Sequence, residues 1–319
     1  MTDLSIPAGV AVNQCLAVLK DEVCLVITDE PCRSIGKALF DAALQAGAEA
    51  MLLEMTPRQI DGEEPPALVA AAMYAAEVIL CPTFRSLSHT AARMAASDRG
   101  ARIATLPGIT EDTMLRAMSA DYRRIDVLSR RIAALLTDAN EAHLTAAGGT
   151  DLRFGLQGRA GEADTGILRN GRDFGNLPAG EAYIAPLEGT AEGVLVVDGS
   201  MGDSGILEDE VIEIEVRGGY AVNIGGGEAA QMLLASIAPF GNDARNIAEL
   251  GIGTNERARI VGNILEDEKV LGTVHVAIGK NSALGGVVDV PVHLDGIVLE
   301  PTLDVGGVRV LEKGRMLVE

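Results

Sequence analysis

The spacing of hydrophobic positions divides the chain into two parts, and the first alternates short apolar runs with helical stretches. The apolar runs, which predict buried strands, are 22–28 (EVCLVIT), 50–55 (AMLLEM), 77–82 (EVILCP) and 101–107 (ARIATLP). Ala-rich stretches with helical composition lie between them, at 36–48, 66–76 and 89–100. Because parallel strands need a crossover connection, usually a helix, this order predicts a doubly wound α/β domain with a parallel sheet.

The second part is predominantly of the β type. A charged helix is predicted at 121–140, and after Gly148 glycines become frequent and alternating strands take over, for example at 193–199 and 210–216. Only 226–238 and 255–265 still have a clear helical pattern. We therefore predict an α/β domain over residues 1–147 and a β-rich domain over residues 148–319, an α+β chain overall.

Composition limits the partners of this chain. It has 26 basic and 46 acidic residues and a net charge of −20, which repels the phosphate backbone and anionic membrane surfaces. The N-terminus lacks the basic start and long apolar core of a secretory signal, and the apolar run at 65–76 is too short to cross a membrane. We expect a cytoplasmic protein that binds neither nucleic acid nor membrane.

Common catalytic signatures are absent from the sequence, including G-x-S-x-G, H-E-x-x-H and the P-loop motif. The candidate chemistry lies instead near the end of the chain, where VDVPVHLDGIV (288–298) alternates as a strand does. Residues two apart in a strand face the same side, so His293 and Asp295 project together. An imidazole beside a carboxylate can bind a metal ion, with His275 as a second histidine, although His293 could also pack beside a charge partner.

Two acidic residues in apolar surroundings extend this candidate site. Glu249 stands in NIAELGIGTN and Glu181 in NLPAGEAYIAP. A buried, unpaired carboxylate costs several kcal/mol unless a cation balances it. Singly, each could form a salt bridge or cap a turn. Together with His275, His293 and Asp295 they would supply three carboxylates and two imidazoles, enough for two ions about 3.5 to 4 Å apart.

These segments, together with ILEDEKVLGTVHVAIG (264–279) and VPVHLDGIVLEPT (290–302), resemble the aminopeptidase T/aminopeptidase S family of metallopeptidases over residues 170–305. The resemblance implies that Glu181, Glu249, His275, His293 and Asp295 bind a cocatalytic metal pair in a homodimer. It also implies removal of N-terminal residues from peptides. One departure is that no tyrosine follows His275 in AIGKNSALGG (277–286), where the peptidases have one.

The main interpretation is therefore a hydrolase that acts on a peptide or a related small amide. Two zinc, cobalt or manganese ions would activate a water molecule, and Glu249 would move the proton. We prefer this interpretation because a second cation explains the additional pair of buried carboxylates.

Two alternatives remain open. The same superfamily includes 2,5-dihydroxypyridine dioxygenase, which binds a single iron(II) ion through two histidines and an aspartate, and His275, His293 and Asp295 suit that set equally well. Such an enzyme would cleave a dihydroxypyridine-like heterocycle. The other alternative is a non-catalytic metal-binding protein.

Lys269, in the acidic segment just before His275, is interpreted as part of a solvated turn rather than as a substrate-binding group.

Overall fold

The computed structural model describes residues 3–318. The helices are α1 (Ser5–Gly9), α2 (Arg33–Ala46), α3 (Ala67–Ala75), α4 (Ala91–Arg99), α5 (Glu111–Ala117), α6 (Tyr122–Asp138), α7 (Glu228–Ile237) and α8 (Ile264–Asp267). The strands are β1 (Val23–Asp29), β2 (Glu49–Met55), β3 (Val78–Cys81), β4 (Arg102–Thr105), β5 (Glu141–Thr145), β6 (Asp151–Gly155), β7 (Glu162–Asp164), β8 (Phe174–Asn176), β9 (Glu181–Ile184), β10 (Glu192–Val197), β11 (Ser200–Met201), β12 (Gly205–Ile206), β13 (Ile212–Arg217), β14 (Tyr220–Gly226), β15 (Ile247–Gly253), β16 (Val274–Gly279), β17 (His293–Val298), β18 (Thr302–Val305), β19 (Val308–Glu312) and β20 (Arg315–Met316).

The first compact unit comprises the described chain up to Tyr122 together with Gly166–Ala179. Its five-stranded sheet has the order β2-β1-β3-β4-β8, and every pairing in it is parallel. The predicted apolar runs form β1 to β4, and the helices between them are α2, α3 and α4. Leu25, Ile79 and Ile103 are fully buried in its core. The predicted α/β class with a parallel sheet is therefore confirmed.

The second unit comprises Arg123–Thr165 and the chain from Gly180 onwards. It contains an eight-stranded sheet, β14-β13-β10-β6-β5-β18-β19-β20, and a seven-stranded sheet, β12-β11-β17-β16-β15-β9-β7. One apolar core includes residues of both sheets, such as Leu152 and Ile214 from the first and Leu250 and Val276 from the second. The β-rich class predicted for this part is also confirmed.

The division of the chain differs from the predicted boundary between residues 147 and 148. Those residues lie in the turn between β5 and β6, which pair antiparallel within one sheet. Helix α6 contributes Leu128, Ile132 and Leu136 to the core of the second unit, and β8 returns to pair with β4 in the first. Composition alone does not show which core a helix packs against, because an apolar face fits either one.

Across residues 3–318, the structure contains no helix that is both long and apolar enough to span a membrane.

Candidate metal centre

The seven-stranded sheet brings all five expected ligands to one place. His293 and Asp295 lie on β17, His275 on β16, Glu249 on β15 and Glu181 on β9, four strands that are consecutive in the sheet. In the register of these strands, Ala277 pairs with both Glu249 and Asp295. Because paired residues of neighbouring strands project to the same face, the small side chain of Ala277 leaves space between the two carboxylates.

Gly251 makes room for the imidazole of His275. The two residues pair across β15 and β16, and a Cβ atom at position 251 would overlap His275 Nε2. Gly251 lies two residues after Glu249, so both belong to the face that bears the site. The opposite face of the same strand contributes Leu250 and Ile252 to the core. This alternation explains why every residue of β15 is buried although one face is polar.

The five side chains form a continuous row of close contacts. His275 Nε2 lies 3.2 Å from Glu181 Oε2 and 3.5 Å from Glu249 Oε1. His293 Nε2 lies 3.0 Å from Glu249 Oε2 and 3.5 Å from Asp295 Oδ1. The carboxylate of Glu249 therefore lies between the two imidazoles, one oxygen facing each.

The row contains two compact groups of possible metal ligands. Glu249, His293 and Asp295 each offer an atom within 4.8 Å of the others, and so do Glu181, Glu268 and His275. Among residues 3–318, His275, His293 and Asp295 do not themselves form a group at this spacing. The second group includes Glu268, which the sequence analysis did not single out as a metal ligand.

The donor atoms suit a divalent cation. Within the described chain, Glu181 Oε2 and both ring nitrogens of His275 are buried without a hydrogen bond, since the close approach of His275 to Glu181 is not aligned as one. Leaving such a buried polar atom unsatisfied costs about 1–3 kcal/mol. His293 Nδ1 lies 2.7 Å from the carbonyl oxygen of Lys280. Donation of the Nδ1 hydrogen to that carbonyl leaves Nε2 free as a ligand, as at many metal sites.

The electrostatics also favour a bound cation. Burial alone would lower the pKa of both His275 and His293, but the neighbouring carboxylates raise the pKa of each well above its ordinary value. Burial would raise the pKa of Glu249, yet His275 and His293 lower it to about 2. The surrounding carboxylates therefore stabilise positive charge on this face of the sheet.

Lys269 is buried at one end of the row, so its interpretation as part of a solvated turn is wrong. Its Nζ atom lies 2.5 Å from Glu181 Oε1, 2.7 Å from Glu268 Oε1 and 3.4 Å from Asp164 Oδ2. Only 2% of its side chain is exposed. Burial would lower the pKa of Lys269, but Glu181, Glu268 and Asp164 raise it well above its ordinary value.

Tyr183 is a further residue on this face that sequence reasoning missed. It pairs with Gly251 and lies two residues after Glu181, which places it on the side of the sheet that bears His275. Burial, followed by the charge of Glu181, raises the pKa of its phenol. The alternation of EAYI (181–184) was the signal that could have identified it, whereas a tyrosine was sought in the segment after His275.

The side chains of the row differ in their exposure to solvent. The side chain of His293 is 32% exposed, compared with 11% for Asp295 and 1% for His275. Among the five expected ligands, His293 is therefore the most accessible to solvent.

Comparisons with known proteins agree on a family. A family model described as NicX, 2,5-dihydroxypyridine 5,6-dioxygenase, matches residues 11–318. A curated 2,5-dihydroxypyridine 5,6-dioxygenase from Pseudomonas putida KT2440 is 26% identical over 201 residues, which are 58% of this chain and 53% of that protein. The matched segment thus spans about half the length of this relative.

Two solved structures share the fold over nearly the whole chain. The 2,5-dihydroxypyridine dioxygenase of Pseudomonas putida KT2440 has a TM-score of 0.81 at 19% identity and covers 100% of this chain and 99% of its own. AmpT from Thermus thermophilus has a TM-score of 0.71 at 18% identity and covers 99% of each chain. At these identities the likeness shows the fold alone.

The main interpretation of the sequence, a metal-dependent hydrolase of the aminopeptidase type, is wrong. The family match over residues 11–318 and the curated relative both name a ring-cleaving dioxygenase, which was the stated alternative. The same findings contradict a peptidase or protease activity. The buried carboxylates that suggested a second metal ion are instead balanced in part by the buried ammonium group of Lys269.

Proposed function

The chain belongs to the 2,5-dihydroxypyridine 5,6-dioxygenase family, and on this premise we propose that it is an iron(II)-dependent dioxygenase that opens the ring of a dihydroxypyridine-like heterocycle. The observation that carries this proposal is the row on the seven-stranded sheet, in which the carboxylate of Glu249 lies between two imidazoles and Asp295 lies beside the more exposed of them, His293. In such a reaction a carbon–carbon bond of the ring breaks and both atoms of O₂ enter the product.

We assign the iron to His275, His293 and Asp295, of which His293 and Asp295 already lie at ligand spacing, while His275 would have to approach them to complete the set. Two histidines and one carboxylate are the ligand set of many mononuclear iron(II) oxygenases, in which the ion keeps open positions for oxygen and for a chelating substrate. Support comes from the orientation of the two imidazoles, whose Nε2 atoms face opposite oxygens of the Glu249 carboxylate. The hydrogen bond from His293 Nδ1 to Lys280 fixes the ring in the tautomer that binds a metal through Nε2.

Glu249 is proposed as the base for the substrate rather than as the essential ligand. Its carboxylate lies between the imidazoles, with Oε2 3.0 Å from His293 Nε2 on the accessible side. A carboxylate there can accept the proton of a substrate hydroxyl at Oε2 and so favour the anionic form that chelates a cation. On the other side of Glu249, the buried side chains of His275 and Glu181, 1% and 8% exposed, exclude water.

The proposal is tested by anaerobic titration of metal-free protein with iron(II), followed by addition of 2,5-dihydroxypyridine and air-saturated buffer. Oxygen uptake and loss of the substrate's ultraviolet absorbance should rise together and reach a plateau at one iron per chain. Zinc should bind without supporting turnover, because it has no redox chemistry. Equal turnover with zinc, or release of amino acids from peptides without oxygen uptake, would contradict the proposal.

A further inference from the structure

We infer that the ammonium group of Lys269 occupies the place of a second metal ion, so that this centre accepts a single divalent cation. The inference deepens the proposed function, on whose single-iron centre it rests. It concerns the Glu181, Glu268 and His275 group, which has ligand spacing for a metal and lies beside the proposed iron position.

The ammonium already uses the carboxylates that a second ion would need. Lys269 Nζ contacts Glu181 at 2.5 Å, Glu268 at 2.7 Å and Asp164 at 3.4 Å. An ammonium has three N–H donors and no acceptor, so three carboxylates can satisfy it completely. A metal ion bound to the same oxygens would lie within a few ångströms of Nζ, where two positive charges shielded from water repel strongly.

The backbone around Lys269 holds the ammonium in position. Its carbonyl accepts a hydrogen bond from the Asn255 N–H at 2.9 Å, and its own N–H donates to the Glu266 carbonyl at 3.0 Å. A Cβ atom on Gly253 would overlap the neighbouring Val270 carbonyl, so this turn packs directly against the end of β15. The side chain, only 2% exposed, thus starts from a fixed point and is buried.

Lys269 also acts on the proposed iron ligand through Glu181. One oxygen of that carboxylate, Oε1, binds the ammonium, and the other, Oε2, lies 3.2 Å from His275 Nε2. The contact with Lys269 therefore determines which way the Glu181 carboxylate faces, and this carboxylate in turn borders the imidazole. Lys269 is a positioning residue, and its effect should appear in metal stoichiometry as well as in turnover.

The decisive experiment counts manganese(II) ions bound per chain after equilibrium dialysis of metal-free protein, using elemental analysis. The wild type should bind one ion and Lys269→Met two, because the vacated carboxylates then form a complete second site. Lys37→Met makes the same substitution at an exposed lysine whose only described ion pair is with Asp41, and it should bind one ion. A double variant, Glu181→Gln with Lys269→Met, removes both charges and should also bind one.

Three results would overturn the inference, and the first two concern the number of bound ions. The first is two ions bound to the wild type, and the second is a single ion bound to folded Lys269→Met. If Lys269→Met is unfolded when free of metal, manganese should restore folding only when two equivalents have been added. The melting temperature of the variant, measured at each addition of manganese, shows this. Failure to fold with excess manganese, while the double variant folds, would also refute it. Binding of one ion by the wild type without any ring cleavage would instead reject the proposed function and leave this inference standing.

Discussion

Gly251 and His275 pair across β15 and β16, and the imidazole lies so close to the glycine that a Cβ atom there would overlap Nε2. This nitrogen is the one that faces Glu181 and Glu249. The geometry of the proposed iron ligand therefore depends on the absence of a side chain on the neighbouring strand.

Gly251→Ala should displace the imidazole of His275 and weaken metal binding by at least the 10 to 100-fold typical of disturbed outer-sphere contacts. Overpacking of this buried strand should also lower the free energy of unfolding by about 1–3 kcal/mol. Iron affinity from anaerobic titration and chemical denaturation measure the two effects. Gly225→Ala is the matched control, since a Cβ atom there meets nothing within 4 Å. Unchanged iron affinity in Gly251→Ala would remove His275 from the ligand set.

Asp295→Asn keeps the shape of the side chain but removes a negative charge from the proposed iron position. Both bound iron and turnover should fall by at least about 10 to 100-fold. If Asp295 only packs beside His293, turnover should survive and stability should change by about 1–3 kcal/mol. Iron content and initial oxygen uptake distinguish these results. Asp41→Asn, at an exposed ion pair with Lys37, serves as the control.

Glu249→Gln separates the role of a base from that of a ligand. With His275, His293 and Asp295 as ligands, the variant should still bind one iron per chain, while kcat falls about 10² to 10⁴-fold, the usual contribution of a general base. The rate should recover in part as the pH approaches the pKa of the substrate hydroxyl, because the substrate then loses its proton without help. Loss of iron from the variant would identify Glu249 as a required ligand.

The ion pair of Glu22 with Arg102 should make the stability of the first unit dependent on acid pH. Arg102 lowers the pKa of the Glu22 carboxyl, and its guanidinium binds both carboxylate oxygens, at 2.8 and 2.7 Å. A lowered pKa in the folded state means that the stabilisation is present above the unfolded value and is lost as the pH falls through the folded one. Melting temperature measured from pH 7 to pH 3 should therefore fall less steeply in Glu22→Gln than in the wild type. Parallel curves would show that the pair contributes nothing.

A homodimer remains a prediction from the resemblance to the aminopeptidase family, and symmetric dimers are the commonest homo-oligomers. Light scattering at micromolar concentration should then give about twice the chain mass of 33.2 kDa. A particle of one chain mass would contradict this prediction.

The sequence was sufficient to predict the strands β1 to β4 and to place His293 and Asp295 together, because alternation along a strand determines which side chains share a face. Glu181, Glu249 and His275 were added from their sequence surroundings and from the resemblance to the aminopeptidase family. It could not predict that residues 256–263 form a loop. The pattern there is helical, but Asp267 accepts the N–H groups of Val261 and Gly262, and Asn255 accepts those of Arg257 and Ala258. Only Ile264–Asp267 becomes helical. These side-chain acceptors bind the backbone N–H groups in place of the helical hydrogen bonds. The positions of the acceptors depend on the folded sheet.

The burial of Lys269 among carboxylates could not be predicted from the sequence either. The segment EDEK before His275 has the composition of a solvated turn, and its local pattern contains no sign of burial. The ammonium is buried because it meets Glu181, which lies 88 positions earlier in the chain, and Asp164 on the next strand. Contacts between residues so far apart depend on strand order, which spacing along the chain does not specify.

The incorporation of ¹⁸O₂ is the most direct measurement of the central claim, ring cleavage at a single iron. Iron-loaded protein is supplied with 2,5-dihydroxypyridine under ¹⁸O₂ in ordinary water, and the product is analysed at once by mass spectrometry. The account predicts a ring-opened product that carries two ¹⁸O atoms, formed at one iron per chain. A product whose new oxygen comes only from water, or an unopened ring with no oxygen consumed, would contradict it.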